Sequence, residues 1–163
     1  MSSGMKVKKQ SQKKKATGES PGRSLFDQFL DELSQIIEFE SGSLFLLECQ
    51  SGTLKEVANK GNGIDFITKV HFPLGKGLSA WVAQKGKIVY LPDIHRGSRH
   101  GLQPIRSYLS IPLEVNNKTI GVLNLGHVVP NAFDKRDLKL IETFSKEIAR
   151  KIYNRTYLSY ICT

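Results

Sequence analysis

Apolar residues recur every three or four positions near both ends of the chain, which is the spacing of amphipathic helices. In the first of these segments Ser24 and Asp27 are spaced as a capping box, and the pattern predicts a helix that ends near residues 40–42. Asp134 is the predicted N-cap of the second segment. The apolar positions on the two helices are Phe26, Phe29, Leu30, Leu33, Ile36 and Ile37, and then Ile141, Phe144, Ile148 and Ile152.

Short apolar or alternating runs between the two helices predict strands. Ser51-Gly52 is a turn signal, and Asn116-Asn117 suits a hairpin turn because Asn tolerates positive φ. Residues 77–86 instead predict a short helix that is ended by Gly86. The predicted strands are residues 43–50, 53–61, 68–74, 87–93, 107–115 and 118–128. This order of elements predicts an α+β domain built on a mostly antiparallel sheet.

One predicted strand differs between its two faces. In residues 107–115, Tyr108 and Ser110 share one face by alternation, whereas the residues between and after them are aliphatic. Asn124 interrupts the apolar run of the next strand, and a buried amide there must bond either to the backbone or to a ligand. The pattern therefore predicts a sheet with one packed side and one side that borders a cavity.

The net charge of +9 is concentrated at the start of the chain. Residues 1–24 hold seven basic residues and one acidic residue, whereas the other residues hold 17 basic and 14 acidic residues. Because residues 1–23 contain no aromatic residue and no apolar periodicity, we predict a disordered basic tail there. The tail is either a solubilising leader without a partner or a contact to nucleic-acid phosphates or an anionic membrane surface. The rest of the chain does not have the charge of a nucleic-acid-binding module.

Bulk features exclude several classes of protein. At 163 residues the chain fits one domain with its own core. No apolar run reaches the roughly 18 residues needed to span a bilayer, and the lysine-rich start lacks the apolar region of a secretory signal. Cys49 and Cys162 are too few and too far apart to indicate a disulfide framework or a cysteine-based zinc site. We therefore expect a cytoplasmic protein.

Three segments, taken in order, resemble the GAF domain, a small-molecule sensor fold related to PAS domains. The segment "GKGLSAWVAQKGKIVYLPD" has the family's paired glycines, short helix, glycine stop, strand and final Asp. The segments "SYLSIPLEVNNKTIGVLNLG" and "FDKRDLKLIETFSKEIARKI" resemble the family's central strands and the start of its last helix. The resemblance covers about residues 25–155. It implies a GAF-like domain over residues 24–156, with residues 157–163 as a C-terminal extension that can continue the last helix.

The resemblance also implies an architecture and a function. The expected sheet has five or six mostly antiparallel strands, with the N- and C-terminal helices on one face. The short helix and the connecting loops are expected to cover a ligand pocket on the other face. The expected function is that of a non-catalytic sensory and regulatory module in signal transduction. It would bind a small ligand noncovalently and signal to a partner protein through its terminal helices.

The polar loop "LPDIHRGSRHG", residues 91–101, is expected to cover that pocket. Its excess of cationic groups favours an anionic ligand, by charge and by the paired donors of arginine. The alternative interpretation of this segment is a plain solvated loop. Trp81 is either a core anchor or a wall of the pocket. The candidate ligand-binding residues are Trp81, Asp93, His95, Arg99, His100, Arg106, Tyr108, Ser110 and Asn124.

Catalysis and cofactor binding have little support in the sequence. Gly75, Gly77 and Ala80 fit a dinucleotide fingerprint together with Asp93, but Pro73 interrupts the preceding strand and the following helix is short. Members of the family that reduce free methionine sulfoxide or bind bilins covalently use cysteines in the pocket-covering loops, and this chain has none there. We therefore expect no enzyme activity, no metal, and no cofactor such as haem or bilin.

A second class of function remains open, a ligand-free scaffold for dimerisation or protein interaction. GAF-like domains often pair through their first and last helices, and the apolar stripes of these helices exceed what one sheet face needs. The expected partners are thus a small ligand of unknown identity, a signalling protein and a second copy of the chain. The candidate dimerisation residues are Phe26, Phe29, Leu33, Ile148 and Ile152.

Overall fold

The computed structural model describes residues 23–61, 77–95 and 104–157. Its helices are α1 (Leu25–Ser34), α2 (Gly77–Lys85) and α3 (Lys135–Ile152), and a π-helical turn follows over Tyr153–Tyr157. Its strands are β1 (Ser41–Leu47), β2 (Leu54–Gly61), β3 (Val89–Leu91), β4 (Ser107–Val115) and β5 (Lys118–His127). The predicted strand over residues 68–74, residues 1–22 of the predicted tail and residues 158–163 of the predicted extension lie outside the described residues.

Both α1 and α3 begin at capping boxes; the sequence predicts the box of α1 and, for α3, the N-cap Asp134. The Ser24 hydroxyl accepts a hydrogen bond from the backbone N–H of Asp27, and the Asp27 carboxylate accepts one from the backbone N–H of Ser24. Asp134 and Asp137 make the same reciprocal pair at the start of α3. These bonds satisfy backbone donors that have no partner within the helix, so local sequence alone sets the start of each helix.

The end of α1 was predicted wrongly. The helix stops at Ser34 instead of continuing to residues 40–42, and Ile36, which the stripe placed in the core, is 53% exposed. The backbone N–H of Glu40 already bonds to the carbonyl of Gly126 at 2.9 Å, next to the first residue pair of β1 and β5. The helix must therefore end early so that the chain can reach the sheet. Pairing of the chain with β5 thus outweighs the helical periodicity of the sequence.

The sheet has five strands in the order β2-β1-β5-β4-β3 in the described part of the chain, and every neighbouring pair is antiparallel. The turn between β4 and β5 places Asn116 and Asn117 at φ values of 51° and 62°, the left-handed conformation that a tight hairpin requires. These findings confirm the predicted α+β class and antiparallel sheet.

Two apolar clusters lie on opposite faces of the sheet. Alternate residues of β4, such as Leu109 and Ile111, pack in the larger cluster with α1 and α3. Tyr108 packs in the smaller cluster with α2, where Leu78 and Val82 are fully buried. We call the face of the sheet that α2 covers the α2 face. The structure confirms the predicted division, with the terminal helices on one face and the short helix on the other.

The five predicted dimerisation residues lie inside the domain. Each of them is buried in the larger cluster, with an exposed fraction of 8% or less, so the set offers little surface to a second copy. The helical stripes are used mainly in covering one face of the sheet, so dimerisation through these residues stays a prediction. The residues concerned are Phe26, Phe29, Leu33, Ile148 and Ile152.

The outer side of α3 is highly charged. Two ion pairs, Glu142 with Lys146 at 3.0 Å and Glu147 with Lys151 at 2.9 Å, join residues one turn apart along the exposed side of the helix. No helix in the described part of the chain is long and apolar enough to cross a membrane.

Asp31 ties α1 to its surroundings. Its carboxylate pairs with Lys60 on β2 and with Arg23, the last residue of the predicted tail. The hydrogen bond from Lys60 lowers the pKa of the Asp31 carboxyl below its usual value, and the charge of Arg23 adds to this effect. The end of the basic segment is therefore attached to the domain at α1.

Candidate functional site

A cavity of about 520 Å³ lies between α2 and the hairpin formed by β1 and β2. Its walls are mostly aliphatic or aromatic, and a few hydroxyl groups and one amide stand among them. We call it the hairpin cavity. Its lining residues are Phe45, Leu47, Ser51, Gly52, Thr53, Leu54, Ser79, Ala80, Ala83 and Gln84.

The sequence of α2 explains why space remains there. The large residues Leu78 and Val82 point into the core of the α2 face, whereas the small residues Ala80 and Ala83 face the hairpin. Because α2 is short and ends at Gly86, which has a φ of +60°, the chain turns back toward β3 directly after it. Small side chains on one side of a well-anchored helix therefore leave the cavity open.

Behind the cavity, a buried hydrogen-bonded cluster joins α2 to the sheet. The Ser110 hydroxyl donates to the Asn124 side-chain carbonyl at 2.7 Å, and these two residues are direct partners across β4 and β5. The Asn124 side-chain amide donates in turn to the hydroxyl of Ser79 on α2 at 2.9 Å. We expected the Asn124 amide to bond to the backbone or to a ligand, and it bonds instead to two serine side chains.

Tyr108 completes this cluster. Its hydroxyl lies beside the hydroxyls of Ser79 and Ser110, and burial raises the pKa of Tyr108 above its usual value, an effect that the two neighbouring hydroxyls partly oppose. The side chain is therefore a neutral phenol at physiological pH. The hydrogen bonds from Ser110 to Asn124 and from Asn124 to Ser79, with Tyr108 beside them, join β4, β5 and α2 in one buried polar cluster. We call Ser79, Tyr108, Ser110 and Asn124 the polar ring.

Three of the predicted ligand-binding residues, Asp93, His95 and Arg106, lie together at a place separate from the hairpin cavity. The Arg106 guanidinium donates twice to one oxygen of the Asp93 carboxylate, at 2.8 and 2.6 Å, and His95 lies 3.3 Å from the other oxygen. None of the three lines the hairpin cavity. The positive charge of Arg106 is thus engaged by Asp93, and the pair joins the segment after β3 to the residue before β4.

Backbone hydrogen bonds also hold the residues that follow β3 in place. The Ile94 N–H donates to the Arg106 carbonyl at 2.7 Å, and the Asn131 N–H donates to the Pro92 carbonyl at 2.6 Å. The buried Ser107 hydroxyl contacts the Pro92 carbonyl and accepts from the N–H of Ala132. This network links the residues after β3 to the loop that leads into α3.

The candidate ligand-binding residues thus divide into groups. Tyr108, Ser110 and Asn124 come together in the polar ring. Trp81 is partly buried in the core of the α2 face, which supports its interpretation as an anchor. Arg99 and His100 lie outside the described residues.

Sequence reasoning missed Ser79 and the hairpin wall of the cavity. The sequence does contain a sign of the role of Ser79, because this residue carries a hydroxyl on a helix whose other buried residues are apolar. Ser51 and Thr53 had only a turn signal, which says nothing of what the turn faces. Among the described residues, no three His, Cys, Asp or Glu side chains lie close enough together to hold a metal ion.

A second concavity, of about 350 Å³, lies between α1 and α3. Two apolar side chains on its walls are well exposed, Ile36 at 53% and Leu140 at 43%. We call it the helix groove. Its lining residues are Leu33, Ile36, Arg136, Lys139, Leu140, Thr143, Phe144 and Glu147.

Comparisons with known proteins agree with this architecture. A curated relative, Protein YtsP of Bacillus subtilis (strain 168), is 26% identical over 85 residues, which is 51% of this chain and 52% of that protein. The alignment with this chain thus spans about half the length of the curated relative it matches.

Two solved structures share the fold. The type II free methionine-R-sulfoxide reductase from Thermoplasma acidophilum has a TM-score of 0.64 and 19% identity, over 85% of this chain and 93% of that chain. The GAF domain of a two-component sensor histidine kinase from Bacillus halodurans has a TM-score of 0.59 and 20% identity, over 78% of this chain and 90% of that chain. At these identities the likeness shows the fold alone, since one fold carries many functions.

The profile of one family, described as GAF domain, matches residues 22–152, which is most of the chain. The match includes α1, the whole described sheet, α2 and α3. The chain therefore belongs to the GAF domain family, a small-molecule-binding sensory fold.

Proposed function

We propose that this GAF domain binds a small ligand noncovalently in the hairpin cavity and performs no catalysis. The observation that carries the proposal is the cavity itself. Its volume of about 520 Å³ lies within the roughly 300–1,000 Å³ range of small-molecule sites. Its mostly apolar walls with a few hydroxyl and amide groups have the composition of such sites.

A route from the ligand to the terminal helices supports a sensory role. Ser79 belongs both to the wall of the cavity and to the polar ring, so a ligand that displaces Ser79 also changes the bonds of β4 and β5. The opposite side of those strands carries Leu109 and Leu123, which pack in the core with α1 and α3. We propose that occupancy is signalled to a partner protein through these helices.

The position of the described cysteine supports the absence of catalysis. Structural neighbours include free methionine-R-sulfoxide reductases. The family resemblance implies that such reductases use cysteines in the loops that cover the pocket. Cys49 is exposed at the hairpin turn and does not line the hairpin cavity, and it is the one cysteine among the described residues. We therefore propose a binding module instead of a reductase.

A ligand screen tests this proposal. We expect native mass spectrometry of freshly purified protein, or a thermal-shift screen of metabolites, to find a small molecule that binds and raises the unfolding temperature. Stabilisation is expected because a ligand that binds only the folded state shifts the folding equilibrium. Recovery of the bound molecule unchanged is the expected sign of a non-catalytic site.

Two results would count against the proposal. Failure of every compound in a broad screen to stabilise the protein would remove the binding function. Turnover of free methionine-R-sulfoxide in the presence of a thiol reductant would show that the domain is an enzyme, and the Cys49→Ser variant would then identify the residue responsible.

A second candidate function is a dimeric scaffold, and the helix groove is the observation that favours it. We propose a second copy of the chain as its occupant, because Ile36 and Leu140 expose apolar surface beside Arg136 and Glu147, charges of both signs that a symmetric partner can pair.

Light scattering over a wide concentration series tests this second function. We expect a dimer for the unchanged protein and a monomer for the Leu140→Glu variant, because the change removes an apolar contact and adds a charge that must be desolvated on association. The matched control is Val129→Glu, since Val129 is 50% exposed and lies outside the groove. A monomer at every concentration would rule out the dimer.

A further inference from the structure

The hydroxyl groups on the hairpin side of the cavity have a defined direction of donation. The Ser51 hydroxyl lies 2.5 Å from the Glu48 carboxylate, and the hydroxyls of Ser51 and Thr53 are 2.6 Å apart. An ionised carboxylate only accepts hydrogen bonds, so the single hydroxyl hydrogen of Ser51 is donated to Glu48. The hydrogen between the other two hydroxyls must then come from Thr53. The Thr53 oxygen therefore offers lone pairs to the cavity and has no hydrogen left to donate.

The hydroxyl on the α2 side has the same character. The Ser79 oxygen accepts a hydrogen bond from the Asn124 amide at 2.9 Å, and the Tyr108 hydroxyl lies beside it. An oxygen of this kind can accept one more hydrogen bond through its second lone pair. Two hydroxyls on opposite walls of the cavity, Thr53 and Ser79, are thus both set as acceptors.

The charges near the cavity act in the same direction. The exposed Glu48 carboxylate accepts from Ser51, which lines the cavity, and so polarises the chain of hydroxyls from Ser51 to Thr53. Within the described lining there is no cationic side chain. An anion in this cavity would face acceptors and a carboxylate, and desolvation of its charge would not be compensated.

We infer that the ligand of the hairpin cavity is a small, mainly apolar molecule that carries a hydrogen-bond donor, an N–H or O–H group, and that it is not an anion. The inference rests on the proposed function and names the class of molecule bound at the same site. It differs from the anionic ligand that the loop sequence favours, because that expectation now depends on Arg99 and His100, which lie outside the described residues.

The test compares three probes of equal size with different end groups, benzyl alcohol, benzylamine and benzoate. Each is titrated into uniformly ¹⁵N-labelled full-length protein, and the backbone amide shifts of Thr53, Ser79 and Ala83 report occupancy of the cavity. We expect benzyl alcohol and benzylamine to shift these signals, and benzoate to bind about tenfold more weakly or not at all, because it offers no donor to either acceptor.

A variant isolates the acceptor on the hairpin side. Thr53→Val keeps the shape of the side chain and removes its oxygen, so we expect benzyl alcohol to bind about three- to tenfold more weakly. The matched control is Thr119→Val at the start of β5, a half-buried threonine that lines neither the hairpin cavity nor the helix groove. This control should bind all probes as the unchanged protein does.

Failure of this inference can be told apart from failure of the proposed function. Benzoate that binds at these residues as tightly as benzyl alcohol overturns the inference and leaves a ligand site in place. Equal binding of benzyl alcohol by the Thr53→Val variant also overturns it. If none of the three probes shifts Thr53, Ser79 or Ala83, the binding function and the inference are both rejected.

Discussion

Replacement of Ala83 by phenylalanine is expected to abolish ligand binding while the domain stays folded. Ala83 lies on the side of α2 that faces the hairpin and lines the cavity opposite β1 and its turn. A benzyl side chain there would occupy the space that a ligand needs, so we expect the affinity for benzyl alcohol, or for any ligand found in the screen, to fall more than tenfold. Because Ala83 borders the cavity as well as the core of the α2 face, the ring can enter the open space and the cost of overpacking should be small.

Thermal-shift assays and ¹⁵N spectra measure both parts of this prediction. The control is Lys87→Phe, which adds the same ring at an exposed position after α2 and outside the cavity lining. That variant should bind as the unchanged protein does. If Ala83→Phe still binds with undiminished affinity, the ligand site lies elsewhere on the domain.

Replacement of Asn124 by leucine is expected to lower the free energy of unfolding by about 2–4 kcal/mol. The Asn124 side chain is 3% exposed, and it both accepts from Ser110 and donates to Ser79. Leucine fills a similar volume but leaves a buried serine hydrogen and a buried serine oxygen without their partner. Leaving a buried polar group unsatisfied costs more than the net value of the hydrogen bond that is lost. Urea denaturation monitored by circular dichroism gives the change as a shift in midpoint at constant slope.

Two further variants show that the effect belongs to the polar ring. Asn59→Leu makes the same change at an exposed position of β2 and should alter stability by less than about 0.5 kcal/mol. An apolar replacement of all four members, Ser79→Ala with Tyr108→Phe, Ser110→Ala and Asn124→Leu, should recover most of the loss, because no unsatisfied group remains. If Asn124→Leu costs no more than Asn59→Leu, the ring does not stabilise the fold.

The two predictions separate two roles of α2. Ala83 tests the side of the helix that faces the cavity, whereas Asn124 tests its attachment to the sheet through Ser79. We expect Ala83→Phe to lose binding but not stability, and Asn124→Leu to lose stability. Together these results would show that the ligand contacts one side of α2 while the polar ring holds the other side on the sheet. Such an arrangement is required if occupancy is to be passed to β4 and β5.

Features that depend on neighbouring residues followed directly from the sequence. The capping box at Ser24, the N-cap at Asp134 and the turn at Asn116-Asn117 depend on three or four consecutive residues, and each was predicted where it occurs. The two faces of β4 followed from simple alternation, because side chains on a strand point to opposite sides. The family resemblance then placed these elements in one known fold.

Other features depend on which surfaces meet, and the predictions failed or stopped there. The stripes of α1 and α3 were interpreted as a dimer surface, but the sheet covers Phe29 and Ile148 completely enough to bury them. Ile36 shows the opposite error. The helical pattern placed it in the core, but it is exposed because α1 ends before it. Periodicity identifies an apolar face but not the surface that will cover it.

The sequence by itself determined the class of fold, the starts of both long helices and the two-sided character of the sheet, because short-range sterics and alternation act within a few residues. Only the tertiary structure decided that Ser79, 45 positions from Asn124, belongs to the polar ring, and that Thr53 faces the same cavity. The physical reason is that a hydrogen bond requires two groups within about 3 Å, and this distance depends on how α2 and the hairpin pack on the sheet.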